Sequence, residues 1–275
     1  MQQSDAPALY RVALGVEYDG SRFYGWQSQK SGIRTVQAAL EQALAHVANE
    51  PVNVVCAGRT DAGVHGSEQV VHFETHAFRE MRAWLFGTNS RLPDDVCVKW
   101  ASPVDDSFHA RFSARNRRYR YVIFSDQVRP AVMSKQVTWT YKTLDVQRMQ
   151  KAANYLLGEH DFTSFRAVQC QAKSPVRTLM HLRVEQVGGY VVLDVKANAF
   201  LHHMVRNLAG VLIKIGAGEA EPEWAKEVLE ARDRTQGGVT APPYGLYLVQ
   251  AGYPDFELPQ QPLGPHFLRG LISDD

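Results

Sequence analysis

The sequence predicts an α+β protein with a mostly antiparallel sheet. Segments in which apolar residues alternate, as in half-buried strands, are interleaved with segments in which apolar residues recur at helical spacing. The Gly188-Gly189 pair between two strand-like segments indicates a tight hairpin, which joins antiparallel neighbours. Because the order of elements starts again after about residue 105, we expect two loosely similar halves, residues 1–105 and 106–275.

The first half begins with a strand and a helix. Apolar residues alternate up to Asp19-Gly20, and the helical pattern that follows has Thr35 as its candidate N-cap and has ended by Pro51. The segment around Asp61 is a loop between two later strands. The predicted strands are Tyr10–Tyr18, Val52–Ala57 and Gln69–Thr75, and the predicted helices are Val36–Val47 and Met81–Phe86.

The second half continues with helices between strands. Gly158 is expected to stop one helix, and Pro222 to open another at a position where a missing N–H costs nothing. Four prolines after residue 253 make a regular tail unfavourable. The predicted strands are Tyr119–Phe124, Leu182–Val187, Tyr190–Ala197 and Gly245–Ala251, and the longer predicted helices are Asp145–Leu157 and His202–Ile215.

Composition limits the class of protein. The 275 residues include 30 basic and 29 acidic ones, so a nucleic-acid surface must come from local segregation of charge. Three widely spaced cysteines without a C-x-x-C pattern argue against a disulfide framework and favour a reducing compartment. The N-terminus lacks a signal-peptide pattern, and no apolar run approaches the ~20 residues that span a bilayer. We therefore expect a cytoplasmic protein with no membrane role.

The Gly58–Gly66 loop is the first candidate for chemistry. Its three glycines are expected to adopt positive φ angles, so that the loop turns sharply and directs the Asp61 carboxylate into a cleft. The alternative is that Asp61 is an ordinary turn residue bonded to its own backbone. The flanking Arg59 and His65 weaken that alternative but leave it open.

A basic segment is the second candidate. Between Arg111 and Arg120 the chain holds five arginines and no acidic residue. Arginine forks bind phosphate oxygens, and Phe112, Tyr119 and Tyr121 could stack on bases, a combination suited to single-stranded or opened RNA. The alternative is a solvated basic strand that pairs with acids elsewhere.

Arg206 is the third candidate, because it begins a largely apolar helix and should be partly buried. A buried guanidinium requires an anion nearby, and Asp61 and Glu230 are both candidates. The histidines form no H-E-x-x-H arrangement and lie near no cysteine pair, so no metal site is expected. Neither a dinucleotide nor a nucleoside triphosphate motif is present, and we expect chemistry without a cofactor.

Eight short segments add a resemblance that extends over nearly the whole chain. They are Glu17–Gly20, Tyr24–Gln27, Ala57–His65, Phe108–Phe112, Arg118–Tyr121, Asp161–Phe165, Phe200–Asn207 and Gly245–Leu248. In this order they resemble the tRNA pseudouridine synthase A (TruA) family. The resemblance implies an isomerase that converts uridine at position 38, 39 or 40 of the tRNA anticodon stem-loop into pseudouridine. The N1–C1′ bond is broken and a C5–C1′ bond is made, without a cofactor.

The resemblance also implies an architecture and a partner. The two α+β halves would join their mostly antiparallel sheets, with helices packed on the sheet and the active cleft between the halves. Family members are homodimers in which one tRNA touches both subunits, at the anticodon stem-loop and the elbow. Such a dimer would explain how a nearly neutral chain assembles a basic groove.

The same resemblance implies roles for individual residues. Asp61 would be the nucleophile, with attack at C1′ of the ribose or at C6 of the base left open. Tyr119 would lie against the target base, Arg206 would pair with Asp61, and Arg59 would be the base-flipping arginine. The remaining substrate-binding residues implied are Arg79, Phe108, His109, Ala110, Arg111, Phe112, Gln169, Cys170, Gln171, Ala172, Lys173 and Leu246.

Two functions of other classes compete with this one. A pure RNA-binding protein would use the basic segment for affinity and leave Asp61 as a turn residue. A hydrolase that cleaves a glycosidic bond would use Asp61 with a second carboxylate such as Glu74.

Overall fold

The computed structural model describes residues 8–29 and 32–272. It confirms the predicted α+β class, with mostly antiparallel strands. The chain forms two compact units. Met1–Arg115 with Ala251–Gln261 makes up the N-terminal unit, and Asn116–Gln250 with Pro262–Asp275 makes up the C-terminal unit. Residues 1–7, where no signal peptide was expected, lie outside the described residues.

In the N-terminal unit, an antiparallel sheet has the order β4-β1-β3, with β2 also paired to β3. The strands are β1 (Tyr10–Tyr18), β2 (Val55–Cys56), β3 (His65–Thr75) and β4 (Val96–Pro103). The helical elements are α1 (Val36–Ala48) and a π-helical turn at Ala83–Gly87, where a helix was predicted. Thr35 caps α1 as predicted, because its Oγ1 accepts the backbone N–H of Ala38 at 3.4 Å.

The structure differs from the sequence predictions at four strands of this unit. β2 covers only two residues of the predicted Val52–Ala57 strand, and β3 begins four residues before the predicted Gln69. β4 was not predicted, although Val96, Val98 and Trp100 alternate with polar or half-buried neighbours. β1 is also buried on both faces rather than on one, since α1 covers one face and Trp100 packs against the other beside Gly15.

In the C-terminal unit, the strand order is β10-β5-β9-β8-β7, with β6 added in parallel to β5. The strands are β5 (Asn116–Ser125), β6 (Thr138–Thr140), β7 (Gly158–Asp161), β8 (Val176–Val187), β9 (Tyr190–Ala197) and β10 (Leu246–Gly252). The helices are α2 (Val146–Asn154), α3 (Met204–Gly216) and α4 (Trp224–Ala231). The predicted β8–β9 hairpin through Gly188-Gly189 is confirmed.

Two helices of this unit have different ends from those predicted: α2 ends earlier, and α3 begins later. α2 ends at Asn154, and Gly158, at φ 101°, begins β7, which was not predicted. α3 begins at Met204, because His203 adopts φ 62° in front of it and cannot be helical. Among the described residues, none of the helices has the length and apolar character required to span a membrane.

The C-terminal tail has no strand and only one 3₁₀ turn, at His266–Leu268, within the described residues, as its prolines predicted. It is nevertheless part of the core. Leu263 and Leu268 are buried in a cluster with Val122 of β5 and Val192 of β9. The tail therefore covers one face of the C-terminal sheet and removes apolar surface from water.

Candidate active site

The Asp61 loop joins β2 to β3 and is held by the turn that follows β1. The backbone N–H of Trp26 donates to the carbonyl of Thr60 at 3.0 Å, and that of Gly63 donates to the carbonyl of Phe23 at 3.3 Å. Within the loop, the N–H of Val64 closes a turn onto the carbonyl of Asp61 at 3.1 Å. Asp61 itself is half-buried. The carboxylate is therefore carried by a loop whose backbone is fixed on both sides.

Only one of the three loop glycines has the expected backbone conformation. Gly63 has φ 80°, whereas Gly58 and Gly66 do not lie in the left-handed region. Gly66 is required for a different reason. A Cβ there would lie 2.6 Å from the ring of Tyr18, so the glycine permits β3 to pass close to that ring.

Two buried side chains connect the loop to the end of β1. The hydroxyl of Tyr18 lies 2.9 Å from Oγ1 of Thr60, and both residues are buried. Nδ1 of His65 lies 3.1 Å from both Oδ1 of Asp19 and the backbone nitrogen of Gly20. Burial would raise the pKa of Asp19, but the adjacent His65 and hydrogen bonds from Ser21 outweigh burial and hold it well below its ordinary value.

The family motif over Phe108–Phe112 has two buried and three accessible residues. Phe108 and Ala110 are completely buried, so their side chains position the segment rather than face solvent. Phe112 is 74% exposed and stacks on His109, with ring centroids 4.3 Å apart. The guanidinium of Arg111 lies 5.7 Å from the Phe112 ring centroid. Arg111 and Phe112 thus form an exposed cation and aromatic pair.

His72 supports this segment from the core. Its Nδ1 accepts the backbone N–H of Ala110 at 3.1 Å, and its ring lies 4.8 Å from that of His109. Burial, with smaller contributions from His109 and Arg11, lowers the pKa of His72 to about 4. His72 is therefore a neutral acceptor at neutral pH. The sequence carries no local signal for this role, because His72 lies in none of the motifs described above.

The basic segment is not the uniform RNA surface that its composition predicted. Arg118 and Arg120 are buried, and both donate to Asp194 of β9. Tyr121 is also completely buried, and its hydroxyl contacts Thr138 at 2.6 Å, so its predicted stacking on a base is wrong. Side chains alternate along β5, so Tyr121 lies on one face of the sheet and the two arginines lie on the other. Both faces are covered.

Two further site residues lie in the C-terminal unit. Tyr119 on β5 is 8% exposed and packs edge-to-face on Phe200, with ring centroids 5.1 Å apart. Arg206 on α3 is half-buried, and its Nε donates to the carbonyl of Ala241 at 2.8 Å. The alternative partner, Glu230, is exposed and instead forms an ion pair with Lys226 on α4. The predicted partial burial of Arg206 is therefore confirmed.

The predicted RNA-contacting loop, Gln169–Lys173, is attached to the residues in front of α3. The N–H of Ala167 donates to the carbonyl of His202 at 3.0 Å, and the N–H of His202 donates to Sγ of Cys170 at 3.4 Å. Gln169, Gln171 and Lys173 are exposed. Burial would raise the pKa of Cys170, but backbone hydrogen bonds and the nearby Arg166 lower it overall.

The remaining predicted residues differ in accessibility. Leu246, at the start of β10, is buried, whereas Arg59 is exposed. Arg79 is half-buried and donates to the carbonyls of Val47 at 3.1 Å and Ala48 at 3.4 Å, at the end of α1. These bonds satisfy helix carbonyls and fix the direction of the guanidinium.

The hydrolase alternative that used Glu74 is wrong. Glu74 lies nine residues beyond His65 on β3, which is roughly 30 Å along the strand. The paired carboxylates of glycosidases lie within about 10 Å of each other. Glu74 instead forms an ion pair with Arg11.

The chain is similar to known proteins over most of its length. The family model of tRNA pseudouridine synthase matches residues 15–113 and 152–254. tRNA pseudouridine synthase A of Pseudomonas aeruginosa is 62% identical over 270 residues, covering 98% of this chain and 95% of that protein. The Alcanivorax borkumensis protein of the same name is 60% identical, covering 96% of this chain and 100% of that protein. The Salmonella typhimurium protein of the same name is 57% identical, covering 98% of this chain and 99% of that protein. The chain belongs to the tRNA pseudouridine synthase A family.

Proposed function

We propose that this protein isomerises uridine to pseudouridine at positions 38, 39 and 40 in the anticodon stem-loop of tRNA. Family membership over nearly the whole chain supports this activity. The observation that carries it is the half-buried Asp61 on a loop fixed by hydrogen bonds at Thr60 and Gly63. Because substrate and product contain the same atoms, the reaction requires no group donor.

In this proposal Asp61 is the nucleophile that permits the N1–C1′ bond to break and the C5–C1′ bond to form. Tyr119 lies against the target base, and its ring is held in place by Phe200. Arg206 is the cation that pairs with the catalytic carboxylate. The exposed Arg59 is the base-flipping residue that occupies the space left by the extruded nucleotide.

The proposed tRNA contacts differ in their chemistry. Arg111 and Phe112 offer a cation and an aromatic face to the RNA, and the exposed residues of Gln169–Lys173 offer polar groups. Arg79 contributes phosphate binding with the guanidinium hydrogens that do not bond to the carbonyls of Val47, Ala48 and Phe78. The buried Phe108, Ala110 and Leu246 shape these surfaces from beneath.

We further propose that the protein acts as a cytoplasmic homodimer in which one tRNA contacts both subunits. The formal charge of +1 supports this arrangement, since basic residues from two nearly neutral chains would together form a longer basic groove for a polyanion. Sedimentation of the protein with and without tRNA tests it. A single chain bound to one tRNA would contradict the dimer.

The activity is tested with tRNA that carries tritium at C5 of uridine. Isomerisation releases tritium to water, because C5 exchanges its hydrogen for the bond to C1′, and it leaves strand length and base content unchanged. Free uracil would instead support a hydrolase, and binding without either signal would support a pure RNA-binding protein. Asp61→Asn should abolish tritium release while tRNA affinity stays within a few-fold, since phosphate contacts lie elsewhere.

A further inference from the structure

We propose that Tyr18 is a positioning residue for the isomerisation, because its hydroxyl bond to Thr60 sets the direction of the adjacent Asp61. The inference rests on the proposed function of Asp61 as nucleophile. Tyr18 does not touch the substrate in this proposal. It acts through Thr60, whose hydroxyl lies 2.9 Å from that of Tyr18.

Close packing fixes the Tyr18 ring. It lies at the end of β1, 3% exposed, with the ring of Trp26 at a centroid distance of 5.7 Å. The ring also passes Gly66 so closely that a Cβ there would lie 2.6 Å from it. A ring confined in this way presents its hydroxyl at one position.

Thr60 is fixed through its side chain and its main chain. Its Oγ1 contacts Tyr18, and its carbonyl accepts the N–H of Trp26 at 3.0 Å. The carbonyl of Asp61 in turn accepts the N–H of Val64 at 3.1 Å. The two carbonyl groups that bracket Asp61 are therefore both held, and Tyr18 supplies the side-chain restraint on this segment.

The energetics favour a positioning role over a purely stabilising one. A buried hydroxyl pair contributes only about 1 kcal/mol net, because both groups lose hydrogen bonds to water. Apolar side chains of the same shape would fill the space equally well. The pair does, however, specify one orientation of the loop, and a nucleophile displaced by about 1 Å can lose on the order of 100-fold in rate.

The test is the single-turnover rate of tritium release by Tyr18→Phe, measured with tRNA affinity and the thermal unfolding midpoint. We expect the rate to fall roughly 10- to 100-fold, while the dissociation constant for tRNA changes less than about threefold. Tyr247→Phe is the matched control, because it also removes a buried hydroxyl, one that donates to the carbonyl of Gln136 at 2.6 Å. That control should change the midpoint comparably and leave the rate unchanged.

Variants of Thr60, the hydrogen-bond partner of Tyr18, make the test independent of any folding defect in Tyr18→Phe. Thr60→Ser keeps the hydroxyl and should retain the rate, whereas Thr60→Val keeps the shape and should lose it. The double variant Tyr18→Phe with Thr60→Val should be no slower than the slower single variant. Full rate in Tyr18→Phe and Thr60→Val, with active wild-type protein, would overturn the inference. Absence of tritium release from the wild-type protein would instead overturn the proposed function itself.

Discussion

The guanidinium of Arg118 forms a bidentate ion pair with Asp194, with Nε 2.6 Å from one carboxylate oxygen and Nη2 3.1 Å from the other. Both side chains are buried. Nε of Arg120 lies 2.7 Å from the second oxygen, so the carboxylate of Asp194 is shared by two buried guanidinium groups. Two of the five arginines that suggested an RNA surface are therefore internal ion-pair partners.

Removing the shared anion should destabilise the protein strongly. Asp194→Ala leaves two buried guanidinium groups without their carboxylate, and we expect the free energy of unfolding to fall by about 3–5 kcal/mol. Urea unfolding followed by circular dichroism measures the change. Asp255→Ala is the control, since the pair of Asp255 with Arg115 is exposed and should contribute less than about 1 kcal/mol. Equal losses in the two variants would contradict the structural role of Asp194.

Arg111 should contribute to tRNA affinity, whereas Arg118 should not. Arg111 is exposed, and we expect Arg111→Gln to weaken tRNA binding. Because one phosphate contact is lost, the slope of log K against the logarithm of the salt concentration should become smaller in magnitude by about 1. Arg118→Met, measured at a temperature where it remains folded, should leave that slope unchanged. Affinity measured at several salt concentrations separates the two, and a reduced slope in Arg118→Met would contradict its assignment to the interior.

His72 should make stability depend on pH. Burial lowers its pKa from 6.5 to about 4, so between these values the unfolded state binds more protons than the folded state. The contribution of His72 to the free energy of unfolding should therefore be fully present above about pH 6.5. It should fall by about 2 kcal/mol as the pH drops toward 4. Urea titrations at several pH values should show a smaller fall in His72→Gln, which retains an acceptor for Ala110. The exposed His46→Gln is the control, and an unchanged pH profile in His72→Gln would contradict the prediction.

Tyr119 should be required for turnover. Tyr119→Ala removes the ring proposed to lie against the target base, and we expect the single-turnover rate to fall by roughly 10- to 100-fold. The change also leaves a cavity beside Phe200, so the thermal midpoint must be measured with the rate. Phe200→Leu disturbs the same packing and retains the Tyr119 ring, so it should lower the midpoint with a smaller loss of rate. A normal rate in folded Tyr119→Ala would exclude the proposed contact.

Much of the local structure could be predicted from sequence, because it depends on neighbouring residues. The strand over Tyr10–Tyr18 and the Thr35 cap of α1 are confirmed at the predicted residues. The short strands β6 and β7 were missed, because three or four residues carry too little periodicity to be recognised alone.

The candidate site residues could be named from the sequence, but the contacts that hold them in place could not. Asp61 and Arg206 could be named from the residues and the family motifs. The contacts of Thr60 with Tyr18, and of Ala110 with His72, join residues 42 and 38 positions apart. No local pattern reports such pairs, since strand register decides them.

The α+β class, most of the longer helices and strands, the loop that carries Asp61 and the family could all be inferred from the amino-acid sequence alone. Which charged and aromatic residues reach solvent depends on the tertiary packing. Arg111 and Arg118 are the same residue type seven positions apart in one basic segment. One is exposed and the other is buried against Asp194, because β9 brings that carboxylate beside β5 and burial makes the pairing obligatory.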